Sequence, residues 1–64
     1  MKNNQTEVED YGDTIVIENI SDKLDPYDML EYCENVEREG PQAYRFDGVY
    51  PETKSKFIRL LKKG

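Results

Sequence analysis

The chain has 64 residues, with 14 acidic and 9 basic side chains and a net charge of −5. This length excludes doubly wound sheets and eight-stranded barrels, which need several times as many residues. The chain has no histidine and a single cysteine, Cys33, which excludes Ser/His/Asp and Cys/His catalysis, an intrachain disulfide and a four-ligand zinc site. We therefore predict a protein that is not an enzyme and has no cofactor or metal, and the absence of disulfides favours a cytoplasmic location.

The first part of the chain divides into a polar segment and an apolar one. Residues 1–12 are polar and end in an acidic cluster, so we predict a flexible acidic arm before a single domain over residues 13–64. Residues 14–20 are rich in β-branched side chains, which predicts a strand with Ile15 and Ile17 on its core face. No apolar run in the chain is longer than three residues, so we expect neither a membrane span nor a signal peptide.

The segment from Pro26 to about Arg38 predicts a helix. Asp25 is a typical N-cap before a proline at the first helical position, and the pair Gly40-Pro41 is a typical helix stop. At 100° per residue, one face of this helix is apolar and predicted to be buried. That face consists of Met29, Leu30, Tyr32, Cys33 and Val36, which makes Cys33 an inert buried thiol.

The last third of the chain predicts a short hairpin and a second helix. Residues 43–46 alternate with a period of two before Asp47-Gly48, which favours a hairpin with a return strand at Val49-Tyr50. The alternative is one longer strand broken at Gly48. Residues from Pro51 to about Lys63 predict a helix that buries Phe57, Ile58, Leu60 and Leu61. The predicted fold is a small α+β domain of strand, helix, short hairpin and helix, with the helices packed on a two- or three-stranded antiparallel sheet.

The charge is unevenly divided along the chain. Residues 1–43 have a balance of −9 and residues 44–64 a balance of +4, which suggests an electrostatic partner. Carboxylates recur at every third residue of the first predicted helix, and like charges this close destabilise a helix. Such a band either serves only to keep the protein soluble or binds a basic partner, with a nearby tyrosine as anchor. The predicted partner-binding residues are Tyr27, Asp28, Glu31, Glu34 and Glu37.

The function predicted from these features is that of a small acidic protein-interaction module. It would regulate or inhibit a protein partner with a basic surface, such as a nucleic-acid-processing protein, by imitating the charge of DNA, as small acidic phage inhibitors do. One alternative is a nucleic-acid-binding module that uses the basic side of the last helix, although the acidic half would repel a polyanion. Its residues would be Lys56, Arg59, Lys62 and Lys63, with Tyr44, Phe46 and Tyr50 stacking on bases. A further alternative is a self-associating structural domain, because chains of this size often complete their core as a homodimer.

Overall fold

The computed structural model describes residues 5–63, which form a four-stranded sheet covered on one side by two helices. Neighbouring strands are antiparallel, and their order across the sheet is β1-β2-β4-β3. The elements in chain order are β1 (Glu7–Asp10), β2 (Ile15–Glu18), a 3₁₀ helix (Pro26–Glu31), β3 (Asn35–Gly40), β4 (Ala43–Asp47) and α1 (Lys54–Lys63). The predicted α+β class is confirmed, but the sheet has four strands instead of two or three and there is one α-helix.

The core lies between one face of the sheet and the two helices. Because side chains alternate across a strand, Ile15 and Ile17 of β2 and Phe46 of β4 all point to this face, and all three are fully buried. Phe57 of α1 packs edge-on against Phe46, with ring centroids 5.0 Å apart, and stacks on Tyr32 at 5.5 Å. The predicted core face of the first strand is confirmed. The last helix begins at Lys54 instead of Pro51, and it buries Phe57 and Leu61 but only partly buries Ile58 and Leu60.

The predicted helix from Pro26 to Arg38 is wrong beyond its first turns. The 3₁₀ helix ends at Glu31, and Asn35–Gly40 is the edge strand β3. As a strand, this segment shares backbone hydrogen bonds with β4 and places Val36 opposite the buried ring of Phe46. As an α-helix, it would instead have placed several carboxylates next to one another.

The end signals of that predicted helix belong to other structures. Asp25 is a true N-cap, since its Oδ1 accepts the backbone N–H of Tyr27 at 3.0 Å, but it caps a 3₁₀ helix. The pair Gly40-Pro41 begins the turn between β3 and β4, where Gly40 pairs with Ala43 next to a β-bulge. Leu30, predicted to be buried on an α-helical face, is about half exposed because a 3₁₀ helix has three residues per turn.

The predicted hairpin around Gly48 does not form. Strand β4 ends at Asp47, and Gly48 turns the chain out of the sheet with φ +66°. The backbone N–H of Val49 then donates to Asp13 at 2.8 Å, so Val49 and Tyr50 make no return strand. The hairpin partner of β4 is therefore β3, which precedes it.

The N-terminal segment predicted as an arm over residues 1–12 also differs from the structure. Glu7–Asp10 is the edge strand β1, and Val8 faces the core opposite Ile17. A strand this polar is stable at the edge of an antiparallel sheet because one of its faces remains in water. Residues 1–4 lie outside the described residues, so that part of the prediction is untested. Within residues 5–63, no helix has the length and apolar character needed to cross a membrane.

Candidate partner-binding surfaces

The face of the sheet that points away from the core is exposed and acidic. Both helices pack on the core side, so no helix or strand within residues 5–63 covers this face. The strand register and the alternation of side chains place six carboxylates and one guanidinium on it. We call this surface the open sheet face; its charged residues are Glu7, Glu9, Glu18, Glu37, Glu39, Asp47 and Arg45.

Arg45 forms ion pairs with the carboxylates on one half of the open sheet face. Its guanidinium nitrogens lie 2.7 Å from a carboxylate oxygen of Glu37, 3.3 Å from Asp47 and 3.7 Å from Glu39. The charges of Asp47 and then Glu37 raise the pKa of Arg45, which stays protonated. Asp47 also accepts the hydroxyl of Thr14 at 3.1 Å. Each of these three carboxylates therefore has a cation within 4 Å, although one guanidinium offsets only one of their three negative charges.

The other half of the open sheet face has no such compensation. Glu7 stands directly opposite Glu18 in the register of β1 and β2, an arrangement of like charges that destabilises a sheet. Within residues 5–63, no Lys or Arg nitrogen lies within 4 Å of a carboxylate of Glu7, Glu9 or Glu18. The Tyr11 hydroxyl donates to Glu9 at 2.8 Å, and this bond, with the charges of Glu9 and Glu18, raises the pKa of Tyr11. We call Glu7, Glu9, Tyr11 and Glu18 the acidic hairpin patch.

The five residues predicted to bind a partner do not share one surface. Glu37 lies on the open sheet face and is paired with Arg45. The stem of Glu34 lies against Gly48, so that a Cβ added at Gly48 would come within 3.0 Å of it. The remaining three residues, Tyr27, Asp28 and Glu31, are exposed on the 3₁₀ helix at the core side of the sheet. The continuous α-helical band of carboxylates does not form, and the role of these residues in binding stays a prediction.

The 3₁₀ helix arranges its own side chains in rows, because residues three apart lie above one another. Tyr27 and Leu30 form one row and are 54% and 48% exposed. Asp28 and Glu31 form the next row and are also exposed, whereas Met29 points into the core. We call Tyr27 and Leu30 the apolar ridge. The predicted α-helix placed Tyr27 on its acidic side and Leu30 on its core side, whereas in the 3₁₀ helix the two side chains share one exposed row.

The basic residues of α1 face away from the sheet. Phe57 and Leu61 point into the core, so the opposite side of the helix is turned to solvent. The four predicted nucleic-acid-binding residues are exposed on that side: Lys56, Arg59, Lys62 and Lys63. The predicted stacking platform is not formed, because Phe46 is fully buried in the core and Tyr44 is packed against the ring of Tyr27.

Sequence reasoning missed the acidic hairpin patch. The polar character of residues 1–12 favoured an arm, although Val8 lies between Glu7 and Glu9 with the period of two that is typical of an edge strand. That alternation was the available signal, but it covers only a few residues. Its meaning depends on pairing with β2, which the local sequence does not show.

The remaining features of residues 5–63 are a buried thiol and two shallow clefts. Cys33 is buried, as predicted, and burial raises the pKa of its thiol. Two shallow clefts of about 240 and 330 Å³ share Asn19 and Gln42 and are open to solvent. Among residues 5–63, no three Cys, Asp or Glu side chains are grouped so that they could hold a metal ion.

The chain matches no family model, no curated protein and no solved structure.

Proposed function

We propose that this protein is a non-enzymatic acidic interaction module that binds a basic surface on another protein and thereby regulates or inhibits it. The observation that supports this most strongly is the pairing of Glu7 with Glu18 on an exposed face, without a cation within 4 Å among residues 5–63. A directly opposed pair of like charges costs about 0.2–1 kcal/mol of folding free energy. A partner that places a Lys or Arg beside Glu7 and Glu18 removes this repulsion. The same pair of charges that lowers the free energy of unfolding therefore favours binding of a basic partner.

The geometry of the sheet supports a partner with several basic groups. Neighbouring strands are about 4.8 Å apart, and residues on the same face of one strand about 7 Å apart, so the carboxylates form a rigid two-dimensional array. Grooves that bind nucleic acid present several Lys and Arg side chains to a row of phosphates. Such a groove also has the charge to bind an array of carboxylates, which favours a nucleic-acid-processing protein as partner. Tyr11 adds an exposed aromatic ring beside Glu9, and tyrosine is enriched at the energetic centres of interfaces.

The experiment that tests this proposal is affinity capture from a cell lysate with matched charge variants. The patch variant is Glu9→Lys/Glu18→Lys, and the control is Asp22→Lys/Glu52→Lys, which changes the net charge equally at exposed positions outside the sheet. We expect the unmodified protein and the control to recover a basic protein that is released by salt and unaffected by nuclease. The patch variant should lose it, and its affinity for the purified partner should fall about tenfold or more.

Equal capture by the patch variant and the control would show that the acidic hairpin patch only hydrates the surface, and the proposal would fail. The thermal unfolding of each variant is measured first. We expect the patch variant to be at least as stable as the control, because it removes repulsion between β1 and β2. Loss of binding is then not a result of unfolding.

A second candidate function is nucleic-acid binding by the basic side of α1, supported by the exposure of Lys56, Arg59, Lys62 and Lys63 on one side of that helix. Recovery of nucleic acid that disappears with nuclease, and its loss in Arg59→Ala/Lys62→Ala, would favour this function. A melting temperature that rises with protein concentration, without captured material, would instead favour the self-associating homodimer.

A further inference from the structure

We propose that the apolar ridge of Tyr27 and Leu30 is a second docking site, independent of the acidic hairpin patch. Its partner is a different protein that presents an apolar surface rimmed by Lys and Arg. Two large side chains, 54% and 48% exposed, lie in one row of the 3₁₀ helix. Because both side chains of this row are exposed, they form an apolar strip in contact with water. An apolar surface on a partner would cover this strip.

The apolar ridge is held in place before any partner arrives. Asp25 caps the 3₁₀ helix, and the N–H of Tyr32 closes it on the carbonyl of Met29 at 2.8 Å. Met29 is part of the buried core, and the ring of Tyr27 rests edge-on against Tyr44 with centroids 6.1 Å apart. A surface that is already ordered loses little conformational entropy when it binds.

The charges beside the apolar ridge decide which partner fits. Asp28 and Glu31 form the adjacent exposed row, so a two-fold contact between copies through the apolar ridge would bring like charges together. The basic side of α1 in a second copy has the right charge, but its exposed residues include no apolar side chain. A second copy therefore does not match, whereas an apolar surface rimmed by cations on another protein matches both rows.

The apolar ridge and the acidic hairpin patch point in different directions. Tyr27 contacts Tyr44 on the core side of β4, and the acidic hairpin patch lies on the opposite face of the sheet. One flat partner surface therefore contacts one of them at a time. For this reason each docking site is testable without the other.

The test is a titration of the isotope-labelled full chain, followed by backbone amide NMR shifts, with a defined probe. The probe is a short amphipathic helical peptide of Leu and Lys, and the control peptide has Glu in place of each Lys. We expect the Leu/Lys peptide to shift the amides of residues 27–31, and the Leu/Glu peptide to leave them unchanged. Tyr27→Ser and Leu30→Ser should each weaken this binding about tenfold or more, whereas Tyr50→Ser, which removes another exposed tyrosine, should not.

Several results would overturn the docking proposal while leaving the proposed function intact. One is a set of shifts confined to the acidic hairpin patch, abolished by Glu9→Lys/Glu18→Lys. Another is equal affinity of the two serine variants and the unmodified chain. Sedimentation that shows self-association abolished by Leu30→Ser would identify a second copy as the occupant. Because half of the Leu30 side chain is in solvent, we expect Leu30→Ser to fold even if Tyr27→Ser does not.

Discussion

Phe57 joins α1 to the sheet, and its replacement tests the whole packing arrangement. Its side chain is 0% exposed, edge-on to Phe46 at 5.0 Å and stacked on Tyr32 at 5.5 Å. Phe57→Leu keeps an apolar side chain but removes both aromatic pairs, each worth about 0.5–1.5 kcal/mol, so we expect a loss of about 1–3 kcal/mol. Phe57→Ala also leaves a cavity, with an expected loss of about 3–5 kcal/mol.

These losses are large compared with the stability of so small a chain. At roughly 0.05–0.15 kcal/mol per residue, 64 residues have a free energy of unfolding of about 3–10 kcal/mol. Phe57→Ala should therefore be largely unfolded or strongly destabilised, whereas Phe57→Leu should fold with a melting temperature lowered by about 4–8 °C for each kcal/mol lost. Thermal unfolding followed by circular dichroism at one protein concentration measures both. Leu30→Ala, at a half-exposed position, is the control and should remain close to the unmodified chain.

A double-mutant cycle separates the stacked pair from the rest of the loss. Phe57→Leu, Tyr32→Leu and the double variant together should give a coupling of about 0.5–1.5 kcal/mol, since the two rings are in direct contact. If Phe57→Ala melts at the same temperature as the unmodified chain, α1 does not pack on the sheet as described. The outward orientation of the basic side of α1 would then be refuted as well.

Three further substitutions test individual contacts. Glu18→Lys places a cation opposite a carboxylate of β1, and we expect urea unfolding to show a gain of about 0.2–1 kcal/mol; unchanged or lower stability contradicts the repulsion argument. Gly48→Ala forces a side chain into the left-handed region at φ +66°, and urea unfolding should show a loss of about 1–2 kcal/mol; a loss close to zero would sink this reasoning. Lys54→Met removes the hydrogen bond at 2.9 Å that, as the largest cause, lowers the pKa of Asp10. Since the pKa of Asp10 is lower in the folded than in the unfolded chain, the unmodified chain should be more stable than Lys54→Met above about pH 4, and this difference should disappear as the pH falls through the folded-state pKa of Asp10. A stability difference that does not change with pH would contradict this expectation.

Local sequence was sufficient for the elements whose burial pattern follows their own geometry. The β-branched run from Ile15 to Ile17 predicts a strand with a core face, and the structure confirms it. Phe57 and Leu61 are four residues apart, which places both on one side of α1 wherever that helix packs. The absence of histidine likewise restricts the chemistry without any reference to the fold.

Local sequence was not sufficient where one signal fits two structures. Asp25-Pro26 can begin an α-helix or a 3₁₀ helix, and Gly40-Pro41 can end a helix or form a turn between strands. Pairing with β4 decides between them, because it places Val36 opposite Phe46 and gives hydrogen-bond partners to the side of the β3 backbone that faces β4. The partner strand β4 follows the turn, and helical periodicity considers only the residues within the segment itself, so it does not include this pairing.

Both candidate surfaces therefore depend on the tertiary structure. From the sequence alone came the excess of carboxylates in the first 43 residues and the prediction that Tyr27 is an exposed anchor, of which the structure shows the exposure. Strand pairing alone decided that Glu7 faces Glu18, because that contact joins residues eleven positions apart in sequence. The three-residue turn of the 3₁₀ helix placed Leu30 beside Tyr27 at the surface, since the rotation per residue determines which side chains reach the core.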